Sequence, residues 1–333
     1  MLIVDSYAVA VVLCVVTMLC WGSWANTLKL ASKEWPFPLY YWDYAIGLVV
    51  TSLVLGLTIG SAGSEGRGFV ADLQQASGYA LLSAFVGGIV FNIANLLVVA
   101  AIDVAGLAVA FPVAIGLALV VGVVVNYLAT PVGSPVLLFG GVALVVAAIL
   151  VDARAYGRLP SAKGATGKGL ALSVLAGLLM GFFYRFVAAA MITDFRSPQP
   201  ERLTPYSALF VFAVGVLLSN FLWNTFFMYR PVSGAPATYA EYVTKGTLRL
   251  HLVGVLGGVI WCLGMAMSLI ASERAGFAIS YGLGQGATMI AAAWGVFVWK
   301  EFRGAPAGTD RLITAMFVLF IAGLATIIAA RIA

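Results

Sequence analysis

Charged residues are scarce in this sequence of 333 residues. Asp, Glu, Lys and Arg together make up 9% of the chain, whereas 62% of the residues are hydrophobic. Soluble domains carry roughly 25% charged residues, so the composition excludes an ordinary water-soluble protein. Apolar runs of about 20 residues, long enough to cross a hydrocarbon core of about 30 Å as helices, recur along the chain. The short alternating segments of a transmembrane barrel are absent from it. The sequence therefore predicts an all-α membrane protein.

Histidine and cysteine are also rare, and this restricts the chemistry. The chain has one histidine and three cysteines, and Cys14, Cys20 and Cys262 all lie inside apolar runs. We therefore expect no disulfide framework, no metal site and no cofactor. A membrane-embedded enzyme, such as a lipid-linked transferase, would use clustered Asp, Glu or His with a metal or an activated nucleophile. The sequence offers no such cluster and no basic, aromatic-rich stretch for nucleic acid. We predict that the protein is not an enzyme.

The chain matches itself without gaps. The stretch GGIVFNIANLLVVAAIDVAGLAVAFPVAIG begins at Gly87, and GGVIWCLGMAMSLIASERAGFAISYGLGQG begins at Gly257. In each copy a short charged break separates two apolar runs, and small residues recur at matching positions. A duplicated membrane protein of this kind is typical of transporters whose site lies between the two halves.

Breaks at charged, proline and glycine clusters divide the chain into ten predicted transmembrane helices. They span roughly residues 6–28, 40–60, 77–101, 104–127, 134–152, 168–190, 206–228, 249–271, 276–299 and 310–331. The internal match places the third and fourth helices on the eighth and ninth, so the repeated unit has five helices. An odd number of crossings inverts the second unit in the bilayer. We expect a first repeat over 1–153, a cytoplasmic linker over 154–167 and a second repeat over 168–333.

The distribution of lysine and arginine predicts the orientation. If the N-terminus lies outside, most of these residues fall in inner loops, including Lys29, Arg154 and Lys300. Cytoplasmic loops of membrane proteins carry this excess of positive charge. We therefore predict a multi-pass protein of the cell inner membrane with both termini outside.

Polar residues within the apolar runs are the candidates for contact with a solute, because each is costly in a membrane. Trp24 and Asn26 lie in WGSWANT, at the end of the first helix, and could form an aromatic and amide wall. An interfacial aromatic belt is the alternative. Tyr281 and Gln285 lie one turn apart in the ninth helix and can face one cavity. Gln285 offers both a donor and an acceptor.

Differences between the repeats indicate further candidates. Asn92 and Asn95 share a helix face, whereas their repeat partners are Cys262 and Met265. This asymmetry favours solute contact, with hydrogen bonding between helices as the alternative. Trp261 is the partner of the aromatic residue at position 91, which suggests an aromatic wall or core packing at that level.

Two charged residues complete the candidate set. Arg185 lies inside an apolar run and needs a carboxylate, carbonyl oxygens or an anionic ligand, unless its side chain extends to the membrane surface. Asp43, in YYWDY, is the candidate for proton coupling. Its alternative role is a favourable charge near a helix N-terminus. His251, the only histidine, is expected at the membrane interface.

These motifs resemble those of the drug/metabolite transporter superfamily. The segments that carry the resemblance are LCWGSWANTLKLA (19–31), YYWDYAIG (40–47), IGLALVVGVVVNY (115–127) and WGVFVWKEF (294–302). Within the superfamily the chain is most similar to the bacterial glucose/rhamnose porters and the plant ureide permeases. The resemblance implies secondary transport of a small polar solute, driven by protons. It also implies a central cavity lined by the first, third, fourth, sixth, eighth and ninth helices.

The sequence therefore predicts a transporter that works by alternating access, with a sugar as the leading solute and a proton as the coupling ion. A ureide or nucleobase permease of the same fold is the alternative, and a facilitative carrier without proton coupling also stays open. A membrane-embedded transferase is the alternative from another class. A channel would require rings of charge or of carbonyl groups, which the dissimilar halves do not provide. The expected partners are the solute, the proton and the lipid bilayer.

Overall fold

The computed structural model describes residues 1–31, 35–160, 166–232 and 234–333, apart from the side chain of Leu107. Helices account for nearly all of the regular structure. In chain order they are α1 (Tyr7–Ser23), α2 (Ala25–Ala31), α3 (Phe37–Leu57), α4 (Phe69–Gln75), α5 (Gly78–Ala105), α6 (Leu107–Ala129), α7 (Pro135–Tyr156), α8 (Gly167–Ala190), α9 (Pro205–Asn220), α10 (Trp223–Tyr229), α11 (Tyr239–Lys245), α12 (Leu248–Ala275), α13 (Phe277–Gly284), α14 (Ala287–Ala293) and α15 (Thr309–Ala329). A π-helical turn, Trp294–Val298, follows α14.

Nine helical stretches of the described residues are long and apolar enough to cross a membrane. They are Tyr7–Ala31, Phe37–Leu57, Gly78–Ala105, Ala108–Ala129, Pro135–Tyr156, Gly167–Ala190, Pro205–Tyr229, Leu248–Ala275 and Thr309–Ala329. This confirms an all-α, multi-pass membrane protein.

The ninth predicted segment, 276–299, is discontinuous. It consists of α13, α14 and the π-helical turn, with a break at Gln285 and Gly286. The amide of Gly286 donates to the carbonyl oxygen of Leu283 at 2.9 Å, so the helix tightens locally. Glycine has a low helix propensity, and glycines at 282, 284 and 286 surround the break. The described residues thus supply nine candidate spans and one segment broken into short helices, so the ten transmembrane helices expected from the sequence are not confirmed.

Single glycines join the two hairpins that the internal repeat predicts. Gly106, between α5 and α6, has φ 75° and ψ 164°, and Gly276, between α12 and α13, has φ 84° and ψ 151°. Positive φ is accessible to glycine at little cost. Equivalent positions of the repeat therefore form the same sharp turn.

Helix packing also follows the repeat. Helix α5 packs on α9, and its repeat partner α12 packs on α3. At Gly88 an added Cβ atom would lie 2.1 Å from the Phe212 carbonyl oxygen, and at Gly258 it would lie 2.1 Å from that of Tyr44. In addition, α5 packs on α8, α12 packs on α1, and α7 packs on α15. All of these contacts join the first half of the chain to the second. Small residues allow these close approaches between membrane helices.

One end of the helix bundle, which we call the terminal end, carries a set of polar contacts around the two chain termini. Arg196 forms ion pairs with Asp5 and Glu65. The N-terminal ammonium donates to the carbonyl oxygen of Glu65 at 2.7 Å. Arg274 donates to the carbonyl oxygen of Val4 at 3.0 Å. The opposite end carries α11, the last turn of α7 and the first turn of α8, and we call it the linker end. Residues 161–165 of the predicted linker lie outside the described residues.

Candidate functional site

A cavity of about 160 Å³ lies at the linker end. Its walls come from the α1–α2 junction, the first turns of α6, the last turns of α7, α14 and the segment after it. Both sequence halves therefore contribute. Pockets for drug-sized ligands measure roughly 300–1,000 Å³, so this cavity suits a smaller solute.

An acidic side chain at the rim of the cavity is fully paired. Glu301 forms an ion pair with Lys29 and accepts a hydrogen bond of 2.8 Å from the Tyr156 hydroxyl group. The Lys29 ammonium also lies 4.5 Å from the centroid of the Trp299 ring. Residues of α2, of α7 and of the turn after the π-helical segment therefore meet at this rim.

Asn26 lies in the cavity wall, where the sequence places a solute contact. Its amide oxygen accepts a hydrogen bond of 2.6 Å from Trp299 Nε1, and its amide nitrogen donates to the Ser23 carbonyl oxygen at 2.9 Å. The indole of Trp294 donates to the Ser23 hydroxyl group at 2.8 Å. The indoles of the WGVFVWKEF motif therefore bind to WGSWANT, which fixes one wall of the cavity.

Asp152 is a cavity residue that the sequence analysis missed. It belongs to α7, lines the cavity and is 7% exposed. Its position in VDARAYGR, next to the charged linker, made it resemble a solvated residue. The available signal was its spacing of four residues from Tyr156, which places both on one helix face.

Trp24 does not line this cavity. Its ring packs on Tyr44, with 5.0 Å between centroids. Beside it, the hydroxyl groups of Thr27 and Tyr40 lie 2.6 Å apart. Trp24 therefore lies at the interface between the first transmembrane segment and α3, and its contact with solute stays a prediction.

An aromatic cluster fills the interior of the bundle. Trp261 is 5% exposed, and its ring centroid lies 4.4 Å from that of Phe91, its repeat partner. Trp21 stacks on Trp261 with 5.6 Å between centroids, and Phe212 stacks on it at 5.8 Å. We call Trp21, Phe91, Phe212 and Trp261 the aromatic plug. The two repeat partners thus contact each other directly in the interior, and contact of Trp261 with solute stays a prediction.

Tyr281 and Gln285 have different surroundings, although they lie one turn apart. The Tyr281 hydroxyl group lies 3.2 Å from the carbonyl oxygens of both Ala118 and Met180, so it bridges α6 and α8. Gln285 is 8% exposed at the break, and no hydrogen bond joins its side chain to a described residue. Thr288, which lines the cavity, donates to the Gln285 carbonyl oxygen at 3.0 Å. Gln285 therefore lies near the cavity wall without lining the cavity, and its contact with solute stays a prediction.

The remaining candidates lie away from the cavity. Asn92 donates to the Ser219 hydroxyl group at 2.7 Å, and Asn95 donates to the Tyr41 hydroxyl group at 3.2 Å. Arg185 lines a groove at the outer surface of the bundle, next to the exposed ring of Tyr79. The two asparagines link neighbouring helices, and solute contact by all three stays a prediction.

Asp43 lies at the centre of a second cluster of hydrogen-bonded side chains. It is 2% exposed, and its Oδ1 atom accepts from the Tyr242 hydroxyl group at 2.6 Å and lies 2.8 Å from His251 Nδ1. Trp35 Nε1 donates to Oδ2 at 3.2 Å. We call Trp35, Asp43, Tyr242 and His251 the Asp43 cluster. It joins α3, α11 and α12 at the linker end.

Tyr242 is the member of the Asp43 cluster that lies outside the membrane-spanning segments. Its burial, followed by its hydrogen bond to Asp43 and the charge of that carboxylate, raises the pKa of Tyr242 above the ordinary tyrosine value. Tyr242 therefore stays a hydroxyl donor in the physiological pH range. His251 is packed in the cluster and not simply at the interface.

Known proteins share this architecture. A family model described as Ureide permease matches residues 40–158 and 161–330. Ureide permease 4 of Arabidopsis thaliana is 23% identical over 401 residues, which cover 99% of this chain and 98% of the relative. Ureide permease 2 of the same plant is 23% identical over 398 residues, covering 99% and 98%. A solved crystal structure superposes with a TM-score of 0.61 at 16% identity, over 98% of this chain and 99% of the other, which shows a shared fold.

These matches cover nearly the whole chain and point to a transporter rather than an enzyme. They support one of the two resemblances found in the sequence, while membership of the glucose/rhamnose porter group is not confirmed. The family model spans both halves of the chain, including Asp43, Tyr242 and His251 and most of the cavity wall. The chain belongs to the ureide permease family.

Proposed function

We propose that the protein is a secondary transporter of ureides or related N–H-rich heterocycles. Its similarity along the whole chain to ureide permeases carries this proposal and favours such solutes over the sugar expected from the sequence. The cavity supports it, because a small planar heterocycle can lie against the indole rings of Trp294 and Trp299 while polar groups hold its edges.

Alternating access is the proposed mechanism. At the terminal end, the ion pairs of Arg196 with Asp5 and Glu65 close the bundle, and the aromatic plug fills its interior. At the linker end, the cavity reaches the surface beside Lys29. We infer that the linker end is cytoplasmic, since the loops at this end carry most of the lysine and arginine residues. The structure then corresponds to a state accessible from the inside.

Two five-helix units, inverted relative to each other, are part of this proposal. The matched turns at Gly106 and Gly276 and the matched packing at Gly88 and Gly258 support them. In such transporters, rocking of one unit against the other opens each side of the membrane in turn. The broken helix at Gln285 would provide the ligand-facing discontinuity that this architecture commonly has.

Proton coupling is assigned to the Asp43 cluster. An imidazole and a buried carboxylate, both able to carry a proton, lie against each other here, and the carboxylate also accepts from Trp35 and Tyr242. A proton on Asp43 would weaken these contacts and loosen the linker end. The titratable groups facing Asp43 are His251 on α12, Tyr242 on α11 and, on its own helix, Tyr40.

Uptake by proteoliposomes tests the proposed function. Labelled allantoin, uracil and glucose are offered with and without an inward proton gradient. We expect saturable uptake of allantoin or uracil that the gradient stimulates. Saturable uptake of glucose alone would overturn the proposed solute class. Uptake that is equal with and without the gradient would remove proton coupling and leave a facilitative carrier.

A further inference from the structure

One buried carboxyl group has no hydrogen-bond or ion-pair partner within the described part of the chain. Among the described residues, Asp43, Asp72 and Asp152 are the acidic residues in the buried class. Asp43 has three partners in its cluster. Asp72 is paired with Arg67 at 2.9 Å and accepts from the Thr204 amide at 2.7 Å. Asp152 accepts no hydrogen bond and forms no ion pair within the described ranges.

Glu301, the other acidic residue that lines this cavity, does have partners. Glu301 engages two donors of the cavity, since Lys29 pairs with one carboxylate oxygen and Tyr156 donates to the other. Tyr156 lies one turn from Asp152 on α7 but donates to Glu301. The charges of these cavity residues do not balance, because one ammonium faces two carboxyl groups. Asp152 is thus the acceptor left available.

An unpartnered carboxyl group in a buried position is costly. Burying a polar group without a hydrogen bond destabilises a protein, and burying a charge does so more strongly. Groups that lower stability in this way are typical of functional sites, where a ligand completes the interactions. Asp152 is 7% exposed and lines the cavity, so a ligand in the cavity can reach it.

We propose that Asp152 is the solute-recognition residue of the cavity, and that its carboxyl group accepts hydrogen bonds from the N–H groups of a ureide. This inference rests on the proposed function. A carboxylate accepts two parallel donors in its plane, and hydrogen bonds to a charged acceptor are about twice as strong as neutral ones. A urea group presents two parallel N–H bonds in one plane. Asp152 therefore explains why the site selects an N–H-rich solute.

The first test compares binding and stability in the purified, full-length protein. Asp152→Asn keeps the size of the side chain but removes its charge and one acceptor. We expect the affinity for allantoin, measured from the thermal shift at increasing concentration, to fall at least about tenfold. The thermal stability without allantoin should be unchanged or higher. Asp310→Asn, at an exposed position, is the matched control and should keep the affinity of the native protein.

The second test uses the native protein and does not depend on folding of a variant. A hydrophobic carbodiimide modifies buried carboxyl groups, and mass spectrometry of the peptide containing Asp152 measures the modified fraction. We expect allantoin to protect this peptide and to leave the peptide containing Asp72 unaffected.

Two results would overturn the inference. One is an Asp152→Asn protein that binds allantoin with native affinity. The other is unchanged modification of Asp152 at a concentration of allantoin that saturates the native protein. These are distinct from failure of the proposed function, in which the native protein itself neither binds nor transports allantoin or uracil.

Discussion

His251 Nδ1 lies 2.8 Å from Oδ1 of Asp43, although the two residues are 208 positions apart. The only histidine of the chain and a buried carboxylate thus form a pair between α12 and α3. Tyr242 and Trp35 complete the hydrogen bonds of the carboxylate. We expect that a substitution in this pair can remove proton coupling while solute exchange continues.

His251→Gln should uncouple transport from the proton gradient. Glutamine keeps a donor near Asp43 but does not titrate, so gradient-driven uptake of allantoin should fall about tenfold or more, while exchange of labelled for unlabelled solute continues. Arg311→Gln, at an exposed position on α15, is the control. Parallel measurement of uptake and exchange checks this expectation. Equal loss of both activities would indicate a purely structural role for His251.

Helix α11 should be stabilised by its N-cap. Thr238 accepts from the Glu241 amide at 3.2 Å, and the Glu241 side chain accepts from the Thr238 amide at 2.9 Å. Thr238→Ala should destabilise α11 locally by about 1 kcal/mol and weaken the contact of Tyr242 with Asp43. Hydrogen exchange of the α11 amides measures this. Unchanged exchange would show that the cap does not hold the helix.

The same cap predicts the direction of an acid effect. Hydrogen bonds from Lys245 and from the Thr238 amide lower the pKa of Glu241 below its ordinary value. A carboxyl group with a lowered pKa stabilises the folded state above its unfolded-state pKa, and this stabilisation is lost as the pH falls through the folded-state value. Protection of the α11 amides, measured relative to their intrinsic exchange rate at each pH, should therefore fall only below the ordinary pKa range of glutamate. Protection that is constant down to that range and below it would contradict this assignment.

The internal repeat predicts equal sensitivity at two glycines. Gly88→Ala and Gly258→Ala would each place a Cβ atom 2.1 Å from a backbone carbonyl oxygen. Each should destabilise the protein by about 1–3 kcal/mol or more, since overpacking forces the helices apart. Gly140→Ala in α7, with open space at its Cβ position, is the control and should be neutral or stabilising. Thermal unfolding in detergent checks all three, and a large difference between the first two would weaken the structural equivalence of the halves.

Gln285→Ala should reduce transport with little effect on stability. The Gln285 side chain has no hydrogen bond to lose within the described part of the chain, whereas Tyr281 is fixed to two carbonyl oxygens. Uptake of allantoin should fall about tenfold, and the unfolding temperature should change little. Native uptake by Gln285→Ala would exclude this residue from the solute path.

The helical spans could be predicted from the sequence because hydropathy is a local property. A run of about 20 apolar residues is sufficient to define a span, and the repeat indicated which spans form hairpins. The discontinuity of the ninth segment was less accessible. Its glycines are compatible both with close packing and with a break, and only the arrangement of the backbone around Gln285 distinguishes these.

The site was harder to predict because its contacts join residues far apart in the chain. Asn26 could be selected from the sequence as a candidate because its motif is distinctive. Its hydrogen-bond partner Trp299, however, is 273 positions away. His251 was expected at the interface, since nothing in its neighbourhood indicates Asp43. Asp152 was missed because it lies beside the charged linker, where an acid is ordinarily solvated, and its burial depends on packing by other helices.

Counterflow in proteoliposomes tests the central claim, carriage of an N–H-rich solute by alternating access, most directly. Vesicles loaded with unlabelled allantoin are diluted into a trace of labelled allantoin without any ion gradient. We predict a transient accumulation of label above its equilibrium level, which Asp152→Asn diminishes and Asp310→Asn does not. The absence of accumulation with allantoin or uracil, together with accumulation of labelled glucose in glucose-loaded vesicles, would contradict the account.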